Sequence, residues 1–198
     1  MITQTDLAEY VGISDTIDLA LVQDAAEAAV AAVQAFAGRE FVVPTAATAR
    51  VFRPANGLLC YVDDIASTTG LVVRTDEDDD GVYEVTWAAA EFELRPLNGR
   101  HTFGVGPWTH LAATETRYFP LNVRASVQIT ARWGWPAIPE QVRRAALQVG
   151  AELFKRKDAP FGVAGFGEFG PIRLSADSMR SVTSLLAPFM SHRTIGIA

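Results

Sequence analysis

Two short stretches of this chain carry residue types and spacings that suggest chemistry. The first, Gly165-Phe166-Gly167-Glu168-Phe169-Gly170, matches GxGxxG, whose glycines let a backbone approach a dinucleotide pyrophosphate. That use requires a strand before the glycines and a helix opening after them. Here a helix ending in Lys155-Arg156-Lys157 comes before, Pro171 comes after, and Phe166 and Phe169 would crowd the phosphates. The motif predicts no cofactor. The second stretch, Asp76-Glu77-Asp78-Asp79-Asp80-Gly81, places acids at the first, third and fifth positions of a calcium loop and glycine at the sixth. Its twelfth position is Trp87, where such a loop needs a bidentate glutamate, and strand-like residues flank it. The pattern predicts a solvated acidic hairpin tip, with loose calcium binding as the alternative.

Other catalytic or metal patterns are missing. His101, His110 and His192 lack mutual metal-ligand spacing, and Cys60 stands apart from them, which argues against structural zinc. No GxSxG, HExxH or CxxC occurs, and Ser126 and Ser181 have no evident base beside them. The expectation is a protein without enzymatic activity or cofactor. A formal charge of −6 and a pI near 5.1 argue against general nucleic-acid binding, which needs a basic face. The single cysteine suits a reducing compartment. The first residues lack the basic and apolar regions of a signal peptide, and no apolar run is read as reaching the ~20 residues of a membrane span.

Phe161, Phe166 and Phe169 lie among Gly162, Gly165, Gly167 and Gly170. Burying three aromatic rings gives at most roughly 15 kcal/mol. Fixing about ten backbone residues, glycines included, costs roughly 10–20 kcal/mol. The balance is near zero, which predicts a docking arm that orders against another surface.

The elements around these stretches read as α+β. Thr5 is expected to cap a short helix through Val11, closed by Gly12. A second helix runs from Asp15 or Asp18 to Ala37, with Gly38 as its stop. Its apolar positions, Leu19, Val22, Ala26, Ala29, Val30, Val33 and Phe36, follow helical spacing. Expected strands are Arg50–Arg53, Leu58–Val62, Leu71–Thr75, Val82–Thr86, Glu91–Leu94, Thr116–Phe119 and Ser126–Arg132. Turns are expected at Asn56-Gly57, Thr69-Gly70, Asp80-Gly81 and Asn98-Gly99. A long helix follows Pro139 to Lys157, its terminal charges complementing the helix dipole. Ile172–Leu174 reads as a short strand and Ala176 to Leu186 as a last helix. The N- and C-terminal helices thus form a bundle scaffold carrying a small antiparallel sheet or partial barrel. The segments are 1–47, 48–135, 136–157 and a Gly/Phe-rich arm over 158–198.

Several motifs follow one another in a distinctive order. Asp6-Leu7-Ala8-Glu9-Tyr10-Val11-Gly12 precedes the alanine-rich helix ending Phe36-Ala37-Gly38-Arg39-Glu40-Phe41. After the β insert come Thr130-Ala131-Arg132-Trp133-Gly134-Trp135-Pro136, the helix ending Leu153-Phe154-Lys155-Arg156, and Asp158-Ala159-Pro160-Phe161-Gly162. Across nearly the whole chain this order resembles the head-tail connector (adaptor) proteins of long-tailed bacteriophages, especially versions from phages of actinobacteria. The large β insert exceeds the minimal helical form of that family. The resemblance implies a structural virion protein of the phage neck, made in the host cytoplasm. It implies a dodecameric ring between the portal protein and the stopper or tail-completion protein, extending a channel through which DNA passes without specific binding.

Docking to the portal or a neighbouring subunit is then expected at Lys155, Arg156, Phe161, Phe166, Phe169 and Arg173. Subunit packing is expected at Ala26, Ala29, Val33, Arg39, Trp133 and Trp135. Lys155 and Arg156 serve equally well as charges complementing the end of their own helix. The two tryptophans are read first as fixing a strand-to-helix corner, with the interface role as the sharper alternative. Another neck component, such as a stopper, and a calcium- or ligand-binding β module are the alternative functions.

Overall fold

The computed structural model describes residues 1–13, 18–97, 100–101, 104–114, 117–121, 124–155 and 176–191. The chain divides into two compact units, Met1–Phe41 with Ile138–Ala198, and Val42–Ala137.

Four α-helices are described in the first unit: α1 (Gln4–Val11), α2 (Leu19–Ala37), α3 (Glu140–Lys155) and α4 (Ala176–Leu186). A 3-10 turn, Ala187–Phe189, continues α4. Thr3, rather than Thr5, caps α1 because Asp6 completes a reciprocal pair with it. The Asp6 carboxylate accepts the Thr3 amide at 2.7 Å, and the Thr3 hydroxyl accepts the Asp6 amide at 3.2 Å. Gly12 and Gly38 close α1 and α2 in the left-handed conformation, as their sequence positions predict. Gly150 of α3 explains how α1 and α2 approach it. A Cβ there would stand 3.0 and 3.1 Å from the Leu7 methyls and 3.5 Å from the Ala29 methyl. Arg143 of α3 also pairs with Asp6. Phe41 meets Phe189 edge to face, with ring centroids 6.5 Å apart. By length and composition α2 is apolar enough to cross a membrane, contrary to the sequence expectation, although Asp24 and Glu27 interrupt it.

The second unit contains an open antiparallel sheet. Its strands are β1 (Thr48–Phe52), β2 (Leu59–Thr75), β3 (Val85–Thr86), β4 (Phe92–Arg95), β7 (Trp108–Ala113) and β8 (Val127–Trp133). Their order is β1-β8-β2-β7-β4, with β3 paired to β2. β5 (Arg100–His101) and β6 (Gly104–Val105) form a separate ribbon. In β8, Val127, Ile129, Ala131 and Trp133 are buried while Gln128, Thr130 and Arg132 are half-buried, the alternation its sequence predicts. The inward residues join Cys60, Val62, Ile65, Val73, Leu111 and Phe119 in one core.

Several strand expectations change. Leu58–Val62 and Leu71–Thr75 belong to one strand, and Thr69-Gly70 is no hairpin. β2 runs through it with a register shift between Ser67 and Val72, because its two halves pair chiefly with different neighbours, β7 and β8. Val82–Thr86 shrinks to β3. Arg117–Phe119 are irregular, although the Phe119 amide donates to the Gly57 carbonyl at 2.8 Å. The Asn98-Gly99 turn lies outside the described residues.

Where β8 ends, Trp133-Gly134-Trp135 binds three other parts of its unit. The Gly134 amide donates to the Asp64 carbonyl and the Trp135 amide to the Val42 carbonyl, each at 2.7 Å. The Trp133 indole donates to the Thr48 carbonyl at 2.7 Å, and the Trp135 indole to the Asp64 carboxylate at 3.2 Å. Gly134 has φ +135°, and a Cβ there would lie 2.2 Å from the Val42 carbonyl oxygen. Gly134→Ala therefore strains a conformation foreign to L-residues and collides with backbone. It is expected to destabilise the second unit by about 3 kcal/mol or more. Denaturant unfolding followed by tryptophan fluorescence checks this; a loss within about 0.5 kcal/mol, the range of ordinary surface substitutions, overturns it.

Candidate functional site

The acidic loop is built differently from a solvated tip. Glu77, Asp78, Asp79 and Asp80 are exposed, but Asp76 is 2% exposed and closes the loop from within. Its Oδ1 accepts the amides of Asp78 and Asp79 at 3.2 and 2.8 Å, and its Oδ2 that of Gly81 at 2.9 Å. Burial pushes the Asp76 carboxyl up, yet the amides of Gly81, Asp79, Asp78 and Asp80 together hold it below the ordinary range. Asp80, followed by burial, pushes Asp78 up. Carboxylate oxygens of Asp76, Asp78, Asp80 and Glu84 lie within 4.8 Å of one another, an arrangement able to hold a cation.

Trp87, at the twelfth position, is buried against Phe119, with rings stacked at 4.6 Å. Its indole donates to the Thr75 hydroxyl at 3.0 Å. The Arg117 guanidinium lies 5.6 Å from the Trp87 ring and pairs with Glu91 at 3.3 Å and Glu77 at 3.9 Å. That ladder anchors the base of the loop.

The residues singled out for docking and packing are dispersed. Ala26, Ala29 and Val33 are buried inside the first unit, where α2 meets the chain's own helices. Trp133 and Trp135 are buried at the corner described above, and Arg39 is half-buried just beyond Gly38. Lys155 is exposed at the end of α3. Arg156, Phe161, Phe166, Phe169 and Arg173, with the GxGxxG motif and Ile172–Leu174, lie outside the described residues.

The open face of α2 is a different set: Ala20, Leu21, Gln23, Asp24, Glu27, Ala28, Ala31 and Ala35 are exposed. At 100° per residue they fall within about half of the helix circumference. Beside them is an apolar groove of about 300 Å³, lined by Val33 and Phe36 of α2, Val149 of α3, and Met179, Val182 and Leu186 of α4. Sequence reasoning missed this face. Alanine occurs at nearly every angle of α2, so spacing alone does not separate its buried side from its open one.

Neither the protein-family models nor the curated proteins include a match to this chain. Solved structures do share its fold. A chain from the neck of an empty gene transfer agent (GTA) particle, computed with C6 symmetry, has a TM-score of 0.56 and 17% identity over 99% of this chain and 92% of that one. A chain from the neck of the native GTA particle, computed with C12 symmetry, has a TM-score of 0.55 and 17% identity, with 100% and 95% covered. A chain from the virion of the native particle has a TM-score of 0.53 and 17% identity, with 99% and 92% covered. The likeness spans both units.

Two outcomes follow for the loop. A carboxyl whose folded pKa is depressed contributes stability above its unfolded pKa, near 4, and loses it as pH falls through the folded value. Asp76→Asn is expected to lower the melting temperature at pH 7, with the gap to the parent protein narrowing below about pH 4. Melting curves across pH check this; a gap unchanged by acid would separate Asp76 from the acid response. In calorimetry, calcium is expected to give no saturable heat, because backbone amides already close the loop around Asp76. A saturable isotherm removed by Asp78→Asn with Asp80→Asn would make the loop a calcium site.

Proposed function

We propose that this protein is a structural subunit of a phage-type particle neck, acting as an adaptor ring between the portal and the stopper or tail. The observation carrying this reading is the match over 99–100% of the chain, through both units, to chains of GTA necks computed with C6 and C12 symmetry. The motif order noted in the sequence supports it independently. In this reading the helical unit is the ring scaffold, and Lys155 with the Phe-bearing segment beyond it engages the portal or the adjacent subunit. An acidic chain offers DNA phosphates little purchase, so DNA slides through the lumen. The role is mechanical and involves no catalysis.

The full chain, mixed with the portal of its own phage and imaged by electron microscopy, is expected to add a ring to the portal. A folded sample that never adds one overturns the adaptor role. A ring found instead at the tail side of another adaptor would make the protein a stopper.

A further inference from the structure

The groove between α2, α3 and α4 lies wholly within the first unit, and among the described residues its lining is entirely apolar. Val33, Val149, Val182 and Leu186 form its floor, each no more than 4% exposed. Phe36 and Met179 stand at its rim, 39% and 38% exposed. Walls of this kind offer a bound water few hydrogen-bond partners. Filling the hollow of about 300 Å³ with apolar side chains is therefore favoured over leaving it to solvent.

The chain itself runs to one end of this groove. After the 3-10 turn Met190 is extended, and the Ser191 amide donates to the Ala37 carbonyl at 2.8 Å. Ala37 adjoins Phe36, so this bond sets the chain beside one wall. The residues that follow, outside the described ones, are His192-Arg193-Thr194-Ile195-Gly196-Ile197-Ala198. From Ser191 to Ile195 the chain spans at most about 14 Å. The helix rises only about 10 Å from Met179 to Leu186, so the whole groove is within reach. Ile195 and Ile197 fall on one side of an extended chain, about 6–7 Å apart. That matches the ~6 Å from Val182 to Leu186 along α4.

We propose that residues 192–198 fold back over this groove in their own chain and seat Ile195 and Ile197 against Phe36 and Met179. The tether selects this occupant. A connection of a few residues holds its end near the site at an effective concentration on the order of 1 mM, which a separate molecule in dilute solution does not match. His192, Arg193 and Thr194 form a polar stem long enough to turn the chain from Ser191 into the groove. The segment is a built-in cover: it closes the apolar surface between α2 and α4 in the single chain, and a partner gains that surface only when the segment leaves. The contact stands independently of the ring reading, which concerns contacts between copies.

The test uses the full chain. Met179→Cys paired with Ile195→Cys or Ile197→Cys is compared with Ala35→Cys paired with the same two positions. Ala35 is exposed, lies outside the groove and is close to Ala37, so an undocked segment reaches it readily. Cys60 is fully buried and stays out of the reaction. Under mild oxidation the Met179 pairs are expected to close a disulfide within one chain at least about tenfold faster than the Ala35 pairs. Equal rates overturn the proposal. Disulfide-linked dimers in place of the closed single chain assign the groove to the segment of a second copy and overturn it too. As a second measurement, Ile195→Ser with Ile197→Ser is expected to raise the fluorescence of an added apolar dye that enters the opened groove. A dye signal that stays at the parent level overturns the cover. If Phe161→Ser, Phe166→Ser and Phe169→Ser together raise it instead, the groove belongs to that Phe-bearing segment.

Discussion

The second unit depends on the corner where Gly134 and Trp135 grip the carbonyls of Asp64 and Val42. Residue 42 is where the chain enters this unit, and Trp135 is near where it leaves. Holding the two together gives the long excursion from Val42 to Ala137 closely spaced ends. Closing a long flexible loop costs conformational entropy that grows with length. A folded insert with clamped ends presents a short connection instead. The clamp demands glycine because position 134 has φ +135° and lies against backbone. It also uses both tryptophans, whose indole N–H groups reach Thr48 and Asp64. Such bonds satisfy the polar end of an otherwise apolar ring.

Features set by near neighbours in sequence were legible. Gly12 and Gly38 stop their helices, and β8 alternates. Features set by distant partners were not. β7 contains Trp108-Thr-His-Leu-Ala-Ala, with only Leu111 fully buried, and it is a strand because β2 and β4 pair on either side. Thr69-Gly70 has turn composition, yet the pairing of Ser67 and of Val72 with β8 carries the strand through it. Asp76 belongs to a run that reads as uniformly solvated, but one member turns inward to cap the loop. Nothing in five consecutive acidic residues distinguishes that member.

α2 shows a different limit. Helical period identifies a buried face when apolar and polar residues segregate. Here alanine fills both faces, so Ala26 and Ala29 inside the unit look identical in sequence to Ala28 and Ala31 outside it. Ala29 is buried where Gly150 of α3 comes close to it. The same abundance of alanine lets α2 pack closely within the chain.

The placement of perturbed charges bears on the class of function. Catalytic sites shift carboxyl pKa values by aiming the groups into a cleft where substrate must react. Asp6 and Asp76 are shifted downward by backbone amides, with Arg143 adding to the effect at Asp6, and both bonds organise local backbone. His110 is shifted down by burial and then by Arg95, its cross-strand partner. Among the described residues, the groove beside α2 is instead walled by Phe36, Val149, Met179, Val182 and Leu186. Its surroundings favour exclusion of water between packed helices over stabilisation of developing charge. Among the described residues, the depressed carboxyls of Asp6 and Asp76 thus hold local backbone in place, while the groove beside α2 is lined by apolar side chains.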